Sequence, residues 1–192
     1  VASRDRKPGR LIALEGTRAI DLHRAVERFG ARHRDLKSAS GVSWWDASGV
    51  FYECWLNKRE RLKPSPRTLL LLYASDLVFR LRWEIRPALA AGQTVIAAPY
   101  VETVVAFGRA SGLTQSWLTE LLRFAPGPDV CYHVKEGKKS SGWKGKANDG
   151  FAEFCSATLS NGAPPFAHVE VRADMIRLLA AAKRRGGCRR LS

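Results

Sequence analysis

Methionine is nearly missing from this chain and cysteine is sparse: one Met and four Cys in 192 residues. Cys54, Cys131, Cys155 and Cys188 stand far apart, and the four histidines are equally scattered. No Cys-x-x-Cys pair exists, so spacing argues against a zinc site and predicts reduced, partly buried thiols. Acidic residues are also few, 18 Asp and Glu against 32 Lys and Arg, which leaves a net charge of +14. Two readings of that excess stand level: a polyanionic partner such as a nucleotide or nucleic acid, or a solvated basic surface. Long apolar runs are absent. The richest stretch, Leu69 to Ile85, is interrupted by Asp76, Arg80, Arg82 and Glu84, so no membrane partner is expected. The basic start leads directly into a short strand rather than a signal peptide, and a cytoplasmic location is expected.

What is present is a core. Apolar residues make up 45% of the chain, enough for one folded domain. Residues 1–10 read as a flexible basic arm, 11–185 as the domain, and 186–192 as a basic tail. Leu11–Leu14 is a short buried strand, and Leu22, Val26 and Phe29 mark one face of a helix that Gly30 is placed to stop. Residues 38–50, rich in Ser, Gly and Trp, read as a loop. Ser65-Pro66 is a helix start, with Ser65 as cap, and the helix runs from Arg67 towards Arg86. Pro87 is expected to kink or end it, and Gly92 to end any helix beyond Pro87. Further strands are expected at Thr94–Ala98, Val130–Val134 and Phe166–Val171. Further helices are expected at Glu102–Ala110, around Trp117–Leu122 before Pro126, and at Asp174–Arg185. Residues 135–150 form a Lys/Gly/Ser segment without apolar period. Strands alternating with helices predict an α/β, three-layer fold: a parallel sheet with helices on both faces.

The first strand ends in Glu15-Gly16 and leads into an amphipathic helix. A phosphate-binding loop, G-x-x-x-x-G-K-[ST], opens in the same way. It needs a second glycine, a lysine for the terminal phosphates and a hydroxyl for magnesium. Asp21, Leu22 and His23 stand at those three places.

The order of motifs resembles the thymidylate kinase family, which has the P-loop nucleoside-monophosphate kinase fold. Four pieces carry the resemblance. Leu11-Ile12-Ala13-Leu14-Glu15-Gly16 is similar to the family's first strand. Leu70 to Asp76, continuing through Ile85-Arg86-Pro87-Ala88-Leu89 to Gly92, is similar to its long helix. Thr94-Val95-Ile96 leading to Pro99-Tyr100, with Val105-Ala106-Phe107, is similar to the strand ending in Asp-Arg-Tyr and the Ala-Tyr-Gln beyond it. Gly127-Pro128-Asp129-Val130 is similar to the approach to its fourth strand. The resemblance covers Leu11 to Val134 and implies the fold, a lid in place of residues 135–150, and a homodimer.

The departures fall on chemistry. Leu22 supplies no charge and His23 no hydroxyl, while phosphoryl transfer relies on positioning and charge stabilisation. Asp21 places a carboxylate near a helix N-terminus, where it competes with phosphate. Alternatively it is an N-cap, or Thr17 caps and Arg18–Leu22 winds into the helix. Ala98-Pro99 replaces the strand-end Asp-Arg. On the long helix Asp76 remains, and Arg80 is either a relocated phosphate contact or a structural ion-pair partner. Trp44-Trp45 stands in place of the family's substrate-facing Arg-Glu-Pro, sealing apolar surface or forming a partner patch. The expected function is thus that of a thymidylate-kinase-like protein without ATP-to-dTMP transfer. Its remnant nucleotide-binding residues are Glu15, Gly16, Thr17 and Arg18, and its substrate cleft holds Asp76, Arg80, Tyr100, Phe107 and Arg109. No catalytic residue, metal or cofactor is assigned. ATP and Mg2+ belong to one alternative, an active kinase with atypical residues. The other alternative is a basic nucleic-acid-binding protein on the same fold.

Overall fold

The computed structural model describes residues 8–32, 40–56, 64–137, 150–160, 173–181 and 189–191. Five strands, β1 (Arg10–Glu15), β2 (Ser40–Trp44), β3 (Thr94–Ala98), β4 (Val130–Val134) and β5 (Arg189–Leu191), form one sheet in the order β2-β3-β1-β4-β5. Every pairing is parallel. The helices are α1 (Ala19–Arg32), α2 (Val50–Leu56), α3 (Pro66–Arg80), α4 (Arg86–Ala90), α5 (Glu102–Ala110), α6 (Gln115–Leu121), α7 (Phe151–Ser160) and α8 (residues 173–181).

Alternation along the central strands divides the core in two. Ile12, Leu14, Ile96 and Ala98 face α1 and its Leu22, Ala25 and Phe29. Leu11, Ala13, Val95, Ala97 and Cys131 face the other way, against residues of α3, α5, α6, α7 and α8. Burial on both faces is why β1 and β3 read as near-continuous apolar runs. Asp129 ties β4 to β1. Its carboxylate accepts from Leu11 N–H at 2.7 Å, and its own N–H donates to Leu11 C=O at 2.9 Å.

The α/β architecture, the strands at the first, third and fourth positions and the Ser65 cap agree with the sequence. Ser65 Oγ accepts from Thr68 N–H at 3.2 Å, with Pro66 in the first helical turn. Several expectations are corrected. Residues 38–50 are not all loop. Ser40–Trp44 is an edge strand paired with β3, and Ser-Gly-Val-Ser-Trp is too polar to show as an apolar run. Gly30 does not stop α1, which continues to Arg32. Pro87 does not end the long helix either. A wide turn, Leu81–Ile85, in which Arg86 N–H reaches back to Leu81 C=O, immediately precedes it. The ring and the missing N–H of Pro87 therefore fall where the regular ladder is already interrupted. The end comes at Gly92, with φ +77°. Gly92 N–H donates to Leu89 C=O and Gln93 N–H to Ala88 C=O, both at 2.9 Å, the paired bonds of a glycine-terminated helix.

α7 and β5 were not anticipated. Cys155 is a free, buried thiol as expected, but Cys131 is disulfide-bonded, a pairing that cysteine spacing does not disclose. The arm at residues 1–7, most of the Lys/Gly/Ser segment (138–149), the strand expected at Phe166–Val171, the end of the last helix and most of the basic tail lie outside the described residues. No described helix is long and apolar enough to cross a membrane.

Candidate functional site

In a parallel sheet of this order, successive connections leave β1 and β3 towards opposite edges. The crevice between their carboxyl ends is where ligands of open α/β sheets bind. Two helix N-termini, those of α1 and α5, open onto it. A helix N-terminus carries N–H groups without a partner inside the helix and the positive end of the helix dipole, the usual setting for a phosphate.

At α5 that setting is taken by Glu15, the last residue of β1. Its Oε2 accepts from Thr103 Oγ1 at 2.6 Å, Thr103 N–H at 3.0 Å and Tyr100 N–H at 3.2 Å, and its Oε1 from Glu102 N–H at 3.0 Å. Thr103 Oγ1 in turn accepts from Gly16 N–H at 3.1 Å. Burial holds the Glu15 carboxyl above its ordinary 4.5, and the bonds from Thr103 and Glu102 pull it partly back. The unfolded chain releases this proton near 4.5 and the folded chain at higher pH. Stability from Glu15 is therefore greatest below 4.5 and is lost as pH rises through the folded value. The stability margin of the wild type over Glu15→Gln, measured by urea unfolding, is expected to shrink as pH rises from about 4.5 to about 7. A margin that widens contradicts this.

At α1 the link from β1 is only Gly16-Thr17-Arg18, and the helix begins at Ala19. Arg18 C=O accepts from Leu22 N–H at 3.1 Å, so residues 19–22 are already wound where a phosphate loop would still be open. Neither Asp21 nor Thr17 caps this helix. Thr17 Oγ1 donates to Glu136. Asp21, in the first turn, accepts from Gly137 N–H at 3.1 Å and lies 3.4 Å from the Arg18 guanidinium, which itself donates to Gly137 C=O at 2.9 Å. Ala19 N–H donates to Glu153 Oε2 of α7 at 2.9 Å. Gly150 lets α7 approach: a Cβ there would stand 2.8 Å from Glu153 Oε2 and 3.1 Å from Ala19 N. Leu22 is buried in the α1 core. His23 stacks on Trp44, ring centroids 4.1 Å apart.

Beside the crevice, Asp76 and Arg80 are both fully buried. Asp76 accepts from Asp46 N–H and Ser48 N–H, each at 2.9 Å, and so holds the turn after β2. Arg80 donates to Ser43 Oγ (2.9 Å), Ser43 C=O (2.7 Å), Pro99 C=O (3.1 Å) and Tyr73 Oη (3.3 Å), with Asp76 4.0 Å away. This arginine joins α3 to β2 and to the residue after β3, and each of its three guanidinium nitrogens donates a hydrogen bond. Next to it, Phe151 of α7 lies edge-on to Tyr73 (4.7 Å), Phe107 (5.6 Å), Phe51 and Trp45. Phe154 adds contacts with Phe51 and Trp45.

The sequence-predicted residues thus meet in part. Glu15, Gly16, Thr17 and Arg18 line the crevice. Asp76, Arg80 and Tyr100 form its buried wall, where Tyr100 Oη donates to Pro126 C=O at 2.8 Å and Tyr73 Oη to Tyr100 C=O at 2.6 Å. Phe107 belongs to the aromatic cluster. Arg109 is exposed and stands on another stripe of α5. Glu136, Gly137, Gly150, Phe151 and Glu153 were missed. Their sole signal was position: Glu136, Gly137 and Gly150 lie at the two ends of the Lys/Gly/Ser segment, and Phe151 and Glu153 come directly after it.

No model of a protein family matches the chain. Among curated proteins, it is 34% identical over 84 residues to a probable thymidylate kinase of Pyrococcus abyssi, covering 44% of this chain and 41% of that protein. It is 39% identical over 62 residues to a probable thymidylate kinase of Thermococcus kodakarensis, covering 32% of this chain and 30% of that protein. A thymidylate kinase of Synechococcus sp. matches at 35% over 80 residues, covering 40% of this chain and 38% of that protein. The matched stretch spans less than half the length of these relatives. Among solved structures, a thymidylate kinase from Ehrlichia chaffeensis shares the fold with TM-score 0.62 at 14% identity, over 96% of this chain and 93% of that one. The likeness to thymidylate kinases therefore holds in sequence over part of the chain and in architecture over nearly all of it.

Proposed function

We propose that this chain is a thymidylate-kinase-like protein that does not transfer phosphate from ATP to dTMP, its phosphate-binding positions having been given over to its own side chains. The observation that carries this reading is the state of the two helix N-termini. Ala19 N–H is bonded to Glu153, and Glu102 N–H and Thr103 N–H to Glu15. The phosphates of ATP do not fit these residues. To reach α1 they would have to displace Glu153 and lie against Asp21, without a lysine at Leu22. The triphosphate's charge would then meet carboxylates in a crevice of low dielectric, where like charges repel most strongly. A magnesium ion finds no hydroxyl at His23. The thymine side fares no better, because Phe151 packs against Tyr73 and Phe107 and is itself backed by Trp45.

A thermal-shift panel of ATP, dTMP and dTTP with and without Mg2+ tests this. A ligand at a hundred times its Kd would stabilise by about 2.7 kcal/mol, and no nucleotide in the panel is expected to raise the melting temperature measurably. Short oligonucleotides in the same panel address the alternative drawn from the +14 charge. Salt-sensitive stabilisation by them alone would favour nucleic-acid binding.

The long helix and the wide turn after it expose Leu71, Val78, Phe79 and Trp83, the last 61% accessible. This supports a homodimer through that face. Sedimentation velocity of the wild type is expected to show a dimer and Phe79→Lys/Trp83→Lys a monomer. A monomeric wild type removes the proposal.

A further inference from the structure

A second concavity lies apart from the crevice. Thr103 and Phe107 of α5 point to Glu15 and Phe151. Glu102, Val105, Ala106 and Arg109 recur at helical spacing on a different stripe and line a half-open cavity of about 700 Å³ bordered by α6 and α8. That volume lies within the range of small-molecule sites, ~300–1,000 Å³. Its floor is apolar: Val105 and Ala106 from α5, Leu122 after α6, and Leu179 from α8. Its fully charged groups are Arg109, Arg123 and Glu102, so the balance is cationic. Burial holds the Glu102 carboxyl above its ordinary range. Arg109 makes no ion pair among the described residues. Arg123 has an exposed partner, Glu120, at 3.2 Å, a solvent-screened contact that is readily exchanged.

We propose that this cavity binds an amphipathic organic monoanion, with its apolar body on the Val105, Leu122 and Leu179 floor and its acid group between Arg109 and Arg123. An apolar pocket with a few polar groups orients such a molecule, and a guanidinium on its lining suits a carboxylate better than a neutral head group. The site lies on its own stripe of α5 and does not depend on what the crevice does.

The test is isothermal titration calorimetry of the full 192-residue chain with decanoate, decanol and decylammonium, each below its micellar limit. Decanoate is expected to bind one to one, and the alcohol and the amine at least about tenfold more weakly. Arg109→Ala/Arg123→Ala is expected to lose about tenfold for decanoate, and Arg109→Lys/Arg123→Lys to retain most of the affinity. Thr119→Trp, at an exposed position on the rim, is expected to fill the cavity and abolish binding while leaving thermal unfolding unchanged. No decanoate binding, equal binding of all three probes, a preference for decylammonium, or affinity undiminished in the alanine and tryptophan variants would each overturn the proposal.

Discussion

Arg80→Leu is expected to destabilise the fold by about 3–5 kcal/mol, because it leaves a buried charge without its partner. Asp76 would keep its bonds from Asp46 and Ser48 but lose the only guanidinium near it among the described residues. Ser43 C=O and Pro99 C=O would lose donors in a place water does not reach. Asp76→Asn is a milder change, since the amide oxygen still accepts one of the two N–H groups, and about 1–2 kcal/mol is expected. Guanidinium unfolding measures both. The result also separates the two readings of Arg80. A guanidinium kept for a substrate phosphate would be released from structural duty, and its loss would leave stability nearly unchanged. A change below about 1 kcal/mol for Arg80→Leu would therefore restore Arg80 as a binding residue.

Phe151→Ala is expected to cost about 3–5 kcal/mol, the range for truncating a buried aromatic. Phe151 is 1% accessible and touches four rings of three other elements and of the turn after β2. Its removal would leave a dry, aromatic-lined void beside Tyr73 and Phe107. A void of that kind takes up benzene or xenon, so part of the lost stability is expected to return when benzene is added. If Phe151→Ala unfolds like the wild type, α7 does not pack into the crevice and the aromatic seal is wrong.

How much of the fold was legible depends on where each interaction lies along the chain. β1, β3 and β4 are buried strands, and their apolar runs announce themselves. The edge strand Ser40–Trp44 has one exposed side and no such run, and the three residues of β5 are too few to carry a pattern. Pro66 and Gly92 punctuate the long helix as their backbone chemistry requires. That the chain stays helical past Pro87 was not legible, because the wide turn before it is invisible to periodicity. The candidate site was legible on one side only. Glu15, Gly16, Asp21 and Leu22 mark in the sequence where the chain departs from a phosphate-binding loop. The groups that meet Asp21 and Ala19 there, Gly137 and Glu153, lie 116 and 134 residues further along the chain, and no local rule connects them. Asp76 and Arg80 were found as a helical pair, but that their remaining bonds go to Ser43, Asp46, Ser48 and Pro99 is a property of the tertiary fold.

Transfer of the terminal phosphoryl group from radiolabelled ATP to dTMP, assayed with Mg2+ present and with the Ehrlichia chaffeensis enzyme as positive control, bears most directly on whether the crevice still handles a triphosphate. The expected result is no labelled product above the protein-free blank. Steady turnover that disappears with Arg18→Ala or with removal of Mg2+ would contradict it, because ATP would then be binding where Glu153 now lies.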